Sequence, residues 1–121
     1  MSQFDATGFK GFKVAAAIGK YRRVKPNASS QVAVAGVGAS DETKEIGVTQ
    51  DETFNADELV TVRLRNSGGT QIMTAAGAFA QGAAIYGAAA GKIDDVVSGA
   101  VIGVALEAAA ADDDEVEVMY R

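Results

Sequence analysis

Apolar and polar residues alternate in several short runs along the chain from residue 31 onward. The clearest run is 59–65, and one face of this segment is entirely apolar, formed by Val60, Val62 and Leu64. Its other face carries Leu59, Thr61, Arg63 and Arg65. Further extended runs lie at 31–36, 46–48, 70–73, 82–86, 92–93, 101–106 and 115–120. Because a period of two is typical of half-buried strands, the pattern predicts an all-β fold.

Glycine and small residues mark the turns between these runs. The segment 66–69, Asn-Ser-Gly-Gly, is a strong turn signal and predicts a hairpin that joins 59–65 to 70–73. The alanine-rich stretch 75–90 would favour a helix, but it contains Gly77, Gly82 and Gly87. Each glycine costs a helix about 1 kcal/mol relative to alanine. Strands and turns are therefore expected there, with room for one short helix.

An internal repeat at an offset of 56 residues is the most specific feature of the sequence. Residues 46–65 and 102–121 share seven identities over twenty positions without a gap. Each copy predicts a strand, an acidic loop and a second strand. Gly47 and Gly103, inside the first strand of each copy, fit a bulge or a close backbone approach. Two such units packed face to face predict a small β-barrel or sandwich.

The charge is segregated along the chain. Residues 1–30 carry a net charge of +5 and residues 31–121 a net charge of −10. We therefore expect a basic N-terminal arm and lead-in segment, 1–30, followed by a β-domain, 31–121. Six cations with one nearby aromatic residue, Tyr21, make a weak nucleic-acid footprint, and an acidic body repels phosphates. The remaining interpretations are a solvated arm and an arm that docks on an acidic protein surface.

Three of the five phenylalanines lie in the first twelve residues, at Phe4, Phe9 and Phe12. Gly8 and Gly11 between them disfavour a helix. Exposed aromatic side chains indicate a binding role, because they gain stability when a partner buries them. Two alternatives follow: an extended arm that inserts into a partner, or a segment that folds back over an open edge of its own sheet.

Residues that carry chemistry are scarce in this sequence. It has no cysteine and no histidine, which removes thiolate metal sites, disulfides and the commonest general base. The acidic stretch 111–115 lacks the spacing of an EF-hand loop, so a solvated loop is the stronger interpretation. The sequence contains no apolar run of 18 residues, so no membrane span is predicted. We expect no enzymatic activity, no cofactor and no metal.

Several segments, read in order, resemble the small capsid decoration (cement) proteins of tailed bacteriophages. They are 16–25, 45–51, 60–64, 82–93, 102–109 and 116–118. Their order and spacing carry the resemblance, since each is a strand and turn of common residues, and residues 1–13 fall outside it. The resemblance implies a compact β-fold, often trimeric, that sits at three-fold or quasi-three-fold positions between capsomers. It implies no catalytic residues.

Together these observations predict a structural virion protein, made in the host cytoplasm, that binds the outer capsid surface and stabilises it. The expected partners are the major capsid protein and further copies of the chain in a homotrimer, without nucleic acid or membrane. The candidate interaction residues are three apolar anchors, Phe4, Phe9 and Phe12, and three cations that would pair with carboxylates, Arg22, Arg23 and Lys25. The alternative is another virion module, such as a head-fibre base, a tail component or a glycan-binding β-domain.

Overall fold

The computed structural model describes residues 7–38, 41 and 43–120. The predicted all-β fold is confirmed, because the described chain contains ten strands and one short 3-10 helix. The first five strands are β1 (Phe9–Lys13), β2 (Arg23–Pro26), β3 (Val32–Val34), β4 (Gly47–Thr49) and β5 (Leu59–Leu64). The others are β6 (Gln71–Thr74), β7 (Ala84–Gly87), β8 (Ile93–Asp94), β9 (Gly103–Ala105) and β10 (Glu115–Tyr120). The 3-10 helix, Ala89–Gly91, lies between β7 and β8.

The ten strands form two five-stranded antiparallel sheets with the same topology. Their orders are β1-β5-β4-β2-β3 and β6-β10-β9-β7-β8. In the first sheet a parallel bridge between Val14 and Val32 links the two outermost strands, and Ala75 and Ile93 form the same bridge in the second. Each sheet therefore closes on itself as a small barrel. We call residues 9–64 repeat 1 with barrel 1, and residues 71–120 repeat 2 with barrel 2.

The duplication extends through all five strands of each repeat. The first three strands correspond at an offset of 61 residues and the last two at the offset of 56 found in the sequence. Asp57 donates its backbone N–H to the Val14 carbonyl at 2.8 Å, and Asp113 donates to the Ala75 carbonyl at the same distance. The change in offset lies in the loop between the third and fourth strands. Each strand-loop-strand unit is therefore the last two strands of its own barrel.

Each barrel has its own apolar interior. In barrel 1 the interior consists of Val14, Ile18, Val24, Val32, Val60 and Val62. The larger cluster of barrel 2 includes Met73, Phe79, Ile85, Ile93, Ile102, Val116 and Val118. The predicted faces of strand 59–65 are confirmed, because Val60 and Val62 are buried while Leu59 and Thr61 are exposed. Small residues fill interiors of this size at high packing density.

Gly47 and Gly103 lie at equivalent positions where two backbones approach closely, as predicted. A Cβ atom on Gly47 would lie 2.2 Å from the carbonyl oxygen of Arg63. On Gly103 it would lie 2.4 Å from the carbonyl oxygen of Met119. Both contacts are with backbone atoms, which cannot rotate away. Only glycine therefore fits at this position in the two repeats.

The predicted hairpin between 59–65 and 70–73 is wrong. The turn exists, with positive φ at Gly68 and Gly69, but it links the two barrels. Strand β5 pairs with β1 and β4, whereas β6 pairs with β10. A turn signal shows where a strand ends and does not determine which strand it pairs with.

The N-terminal segment is part of barrel 1 from residue 9 onward. Strand β1 pairs with β5 in the register Phe9 to Arg63 and Lys13 to Leu59. Of the two alternatives for this segment, residues 9–13 therefore follow the second, a segment that covers the edge of its own sheet. Residues 1–6 lie outside the described part of the chain.

Candidate functional site

The junction between the two barrels is built around Arg23 of β2. Strand β2 points alternate side chains in opposite directions, so that Val24 enters barrel 1 and Arg23 lies on its outside. Arg23 pairs in register with Val48 of β4. Both side chains are completely buried, because barrel 2 covers them.

Arg23 forms an ion pair with Glu45, and both side chains have no exposed surface. The guanidinium also donates to the carbonyls of Lys92 at 3.0 Å, Ala88 at 2.7 Å and Gly36 at 3.0 Å. Two of these acceptors belong to repeat 2, so a single side chain joins both barrels. A buried charge requires this number of partners, because it has lost its hydration.

Arg22 extends the junction toward the acidic loop before β10. Its Nη1 donates to the Ala90 carbonyl at 3.0 Å, and its Nη2 lies 3.8 Å from Asp113. Lys92 binds the same loop, at 2.7 Å from Asp113 and 2.8 Å from Asp112. Its hydrogen bond lowers the pKa of Asp113, and the two carboxylates raise the pKa of Lys92. This acidic stretch therefore binds cations of its own chain.

Lys25 pairs with Asp41 across the loop that follows β3. The Nζ and Oδ1 atoms are 2.6 Å apart. The hydrogen bond from Lys25, followed by one from the Gly36 amide, holds the pKa of Asp41 below its ordinary value. The three predicted cations are therefore all engaged with carboxylates of their own chain. That they bind carboxylates of a partner stays a prediction.

The predicted aromatic anchors are separated in the structure. Phe4 lies outside the described residues. Phe9 lies on the outside of barrel 1, is 40% exposed, and its ring centre is 5.4 Å from the Arg63 guanidinium carbon. Phe12 faces the other way and packs on the interior of barrel 1. The five described candidate residues therefore do not form one continuous surface.

The structure places exposed valines on equivalent loops of the two repeats. Val37 lies in the loop between β3 and β4 and is 58% exposed. Val96 and Val97 lie in the corresponding loop between β8 and β9 and are 63% and 75% exposed. Sequence reasoning missed these residues. The available signal was an apolar residue flanked by glycine or aspartate, in a segment without strand periodicity.

Residues 7–38, 41 and 43–120 contain no cluster of three or more acidic, cysteine or histidine side chains able to hold a metal ion. In the same ranges, no helix is long and apolar enough to cross a membrane.

Comparison with known proteins identifies a family to which the chain is similar. A model of the phage cement protein family matches residues 19–120. A search of curated proteins finds no match. The matched range contains nine of the ten strands and both loops with exposed valines. This agrees with the resemblance seen in the sequence, and the chain belongs to the phage cement protein family, a family of structural, capsid-associated proteins.

Proposed function

We propose that this protein binds the outer surface of a phage capsid, contacts the major capsid protein and stabilises the assembled shell. It acts as a structural component and not as an enzyme. The observation that carries the proposal is the pair of loops with Val37 and with Val96 and Val97. Each loop leads directly into the fourth strand of its barrel, so both repeats present apolar side chains at corresponding places.

Exposed valines on two matched loops favour a repeated apolar contact. Burial of apolar surface contributes roughly 25 cal/mol per Å². One valine therefore contributes little, and a chain with two loops gains from binding with both. A homotrimer multiplies the contacts again and matches a three-fold position on a shell. The protein is then made in the host cytoplasm and resides on the outside of the virion.

The predicted interaction residues take different roles in this proposal. Phe9 is open to solvent and remains a candidate contact, together with Phe4. Arg22, Arg23 and Lys25 hold the protein itself together through their internal pairs. Phe12 contributes to the interior of barrel 1.

Co-sedimentation with capsids that lack the protein tests the proposal. We expect the wild-type protein to saturate the capsids at a fixed ratio. Val37→Asp and Val97→Asp, each of which adds a charge to one loop tip, should weaken binding, and the double variant should weaken it most. Thr61→Asp is the matched control, because it adds the same charge at an exposed position on the outside of barrel 1. Equal binding by all four variants would refute the role of the loops.

A wild-type protein that does not sediment with capsids would refute the proposed function itself. Binding of the same preparation to a glycan array would then favour the alternative of a glycan-binding module.

A further inference from the structure

Repeat 1 docks on repeat 2 through residues 20–23, which comprise the turn before β2 and the first residue of that strand. We call this segment the docking turn. Its contacts on repeat 2 are made by Thr74, Gly87, Ala88, Ala90, Gly91, Lys92 and Asp113. The approach is close: a Cβ atom on Gly91 would lie 3.0 Å from the Cβ of Arg22. We call this part of repeat 2 the contact face.

No described residue of repeat 2 lines the corresponding face of repeat 1. A cleft of about 760 Å³ lies there, and its described lining comes only from repeat 1. Six of its lining residues are the counterparts of contact-face residues: Lys13, Pro26, Ser29, Ser30, Gln31 and Asp57. The Gln31 side chain donates a hydrogen bond to Asp57, just as Lys92 binds Asp113 in repeat 2. Repeat 1 therefore carries a second copy of the contact face, and we call it the open cleft.

The docking turn also has an open counterpart. In repeat 2 the corresponding turn is 81–84, and Gln81, Gly82 and Ala84 are exposed. Val48, which barrel 2 buries completely, has its counterpart in the partly exposed Val104.

The outside of barrel 2 continues this apolar surface. Val104 pairs in register with Ala84 on one side and with Met119 on the other. Met119 is 53% exposed. The outside of barrel 2 thus presents a row of three apolar residues at the place where barrel 1 uses Arg23 and Val48 for docking.

We propose that the turn 81–84 and the Ala84–Val104–Met119 row of one copy dock in the open cleft of a second copy, as repeat 1 docks on repeat 2 within the chain. The occupant of the cleft is therefore repeat 2 of a neighbouring molecule. The internal junction supplies the template, since the two repeats share strand order, register and loop hydrogen bonds.

Charge supports docking of repeat 2 on repeat 1 of a neighbouring copy over direct contact between the repeat 2 surfaces of two copies. Residues 1–65 carry nine Lys and Arg against eight Asp and Glu, and residues 66–121 carry two against eight. Pairing two acidic repeats in a symmetric dimer would bring like charges together. Head-to-tail docking instead places the acidic repeat 2 on a cleft whose lining holds two cations, Lys10 and Lys13, and one carboxylate, Asp57.

A head-to-tail contact leaves one surface free at each end until the chain of copies closes. Closure as a ring of three copies, which rests on the trimer of the proposed function, would place six similar barrels around one axis. In that ring every turn 81–84 and every open cleft is occupied.

The native mass of the wild-type protein is the first test. Native mass spectrometry should find an assembly of three chains, each of 12.3 kDa. A monomer at tens of micromolar protein would overturn the proposal. The second test uses the absence of cysteine in the chain. The counterparts of Gly91 and Arg22 are Ser30 and Ala83, so Ser30→Cys/Ala83→Cys should form a disulfide between copies, since paired Cβ atoms lie about 3.5–4.5 Å apart in disulfides.

In a closed ring every introduced thiol is consumed, and denaturing electrophoresis shows one species of three chains. The matched control, Ser30→Cys/Thr61→Cys, places its second thiol elsewhere on the surface and should remain uncrosslinked. An assembly in which the first pair stays reduced would overturn the proposed interface. Capsid binding is measured separately, so a monomer that still binds capsids would refute only the ring, and a ring that ignores capsids would refute only the proposed function.

Discussion

Arg23 and Glu45 form an ion pair that is fully buried between the two barrels, and the guanidinium also binds backbone carbonyls of both repeats. Arg23 has a small, exposed counterpart in repeat 2, Ala84. The pair is therefore specific to the internal junction. It fixes the position of one barrel on the other, because a buried charge needs a partner of opposite sign. Arg65 supplies Glu45 with a second cation, at 3.6 Å.

Removing one member of this pair should destabilise the protein strongly. We expect Arg23→Met or Glu45→Gln to lower the free energy of unfolding by about 3–5 kcal/mol, because each deprives a buried charge of its main partner. The double variant Arg23→Met/Glu45→Gln should cost less than the sum of the two single changes. Urea denaturation measures both, with the exposed Lys44→Met as the control. Additive losses would contradict the coupling.

The close approach at Gly47 predicts a loss that depends on position. Gly47→Ala should lower the free energy of unfolding by at least about 1–3 kcal/mol, because the added Cβ would overlap the Arg63 carbonyl. Gly11→Ala is the matched control, since Gly11 also lies in a strand but its Cβ would meet no atom within 4 Å. Thermal unfolding of the two variants distinguishes steric overlap from a general effect of glycine. Similar melting temperatures for the two would contradict the geometry.

Gly91 allows the same comparison at the junction. Gly91 and Gly68 both have positive φ, of 73° and 78°. A Cβ on Gly91 would press on Arg22 and Arg23, whereas one on Gly68 would meet nothing within 4 Å. Both alanine variants incur the strain of the left-handed region, about 1 kcal/mol. In urea denaturation, Gly91→Ala should lower the free energy of unfolding more than Gly68→Ala does. Equal losses for the two variants would mean that the barrels do not touch at Gly91.

Acid should weaken the protein in part through Asp41. Lys25 lowers the pKa of Asp41 in the folded state, from a reference value of 3.8. The folded state therefore binds fewer protons than the unfolded state, and the stabilisation is present above about pH 4. It is lost as the pH falls through the lowered pKa. Asp41→Asn should make the free energy of unfolding less dependent on pH between about 2 and 5.

Asp51→Asn removes one exposed carboxylate and serves as the control for the lost charge. If wild type and Asp41→Asn gave parallel curves of unfolding free energy against pH, the Lys25–Asp41 pair would have no role in acid stability.

The sequence predicted the fold class and the faces of β5, because a two-residue period reports directly on burial. It predicted only the last two strands of the repeat. The offset changes from 56 to 61 before them, and no matching pair in the first three strands is identical; Val24 and Ile85, for example, share only apolar character. Alignment by identity cannot detect such a relationship, whereas strand order makes it plain.

The candidate site was harder to predict for a physical reason. Arg22, Arg23 and Lys25 lie in a basic run that has the pattern of a solvated arm, yet the structure engages all three within the chain. Their acidic partners lie 16 to 91 residues away in sequence, so nothing local reports the pairing. The sequence pattern did not indicate Val37 and Val97 either, because an exposed valine in a loop belongs to no periodic run.

Binding to phage capsids and their stabilisation can be tested together by the melting temperature of capsids that lack the protein. Scanning calorimetry measures this temperature before and after saturation with the purified wild type. We expect a higher melting temperature that saturates at a fixed number of copies per capsid. An unchanged melting temperature, with no protein bound to the shell, would contradict it.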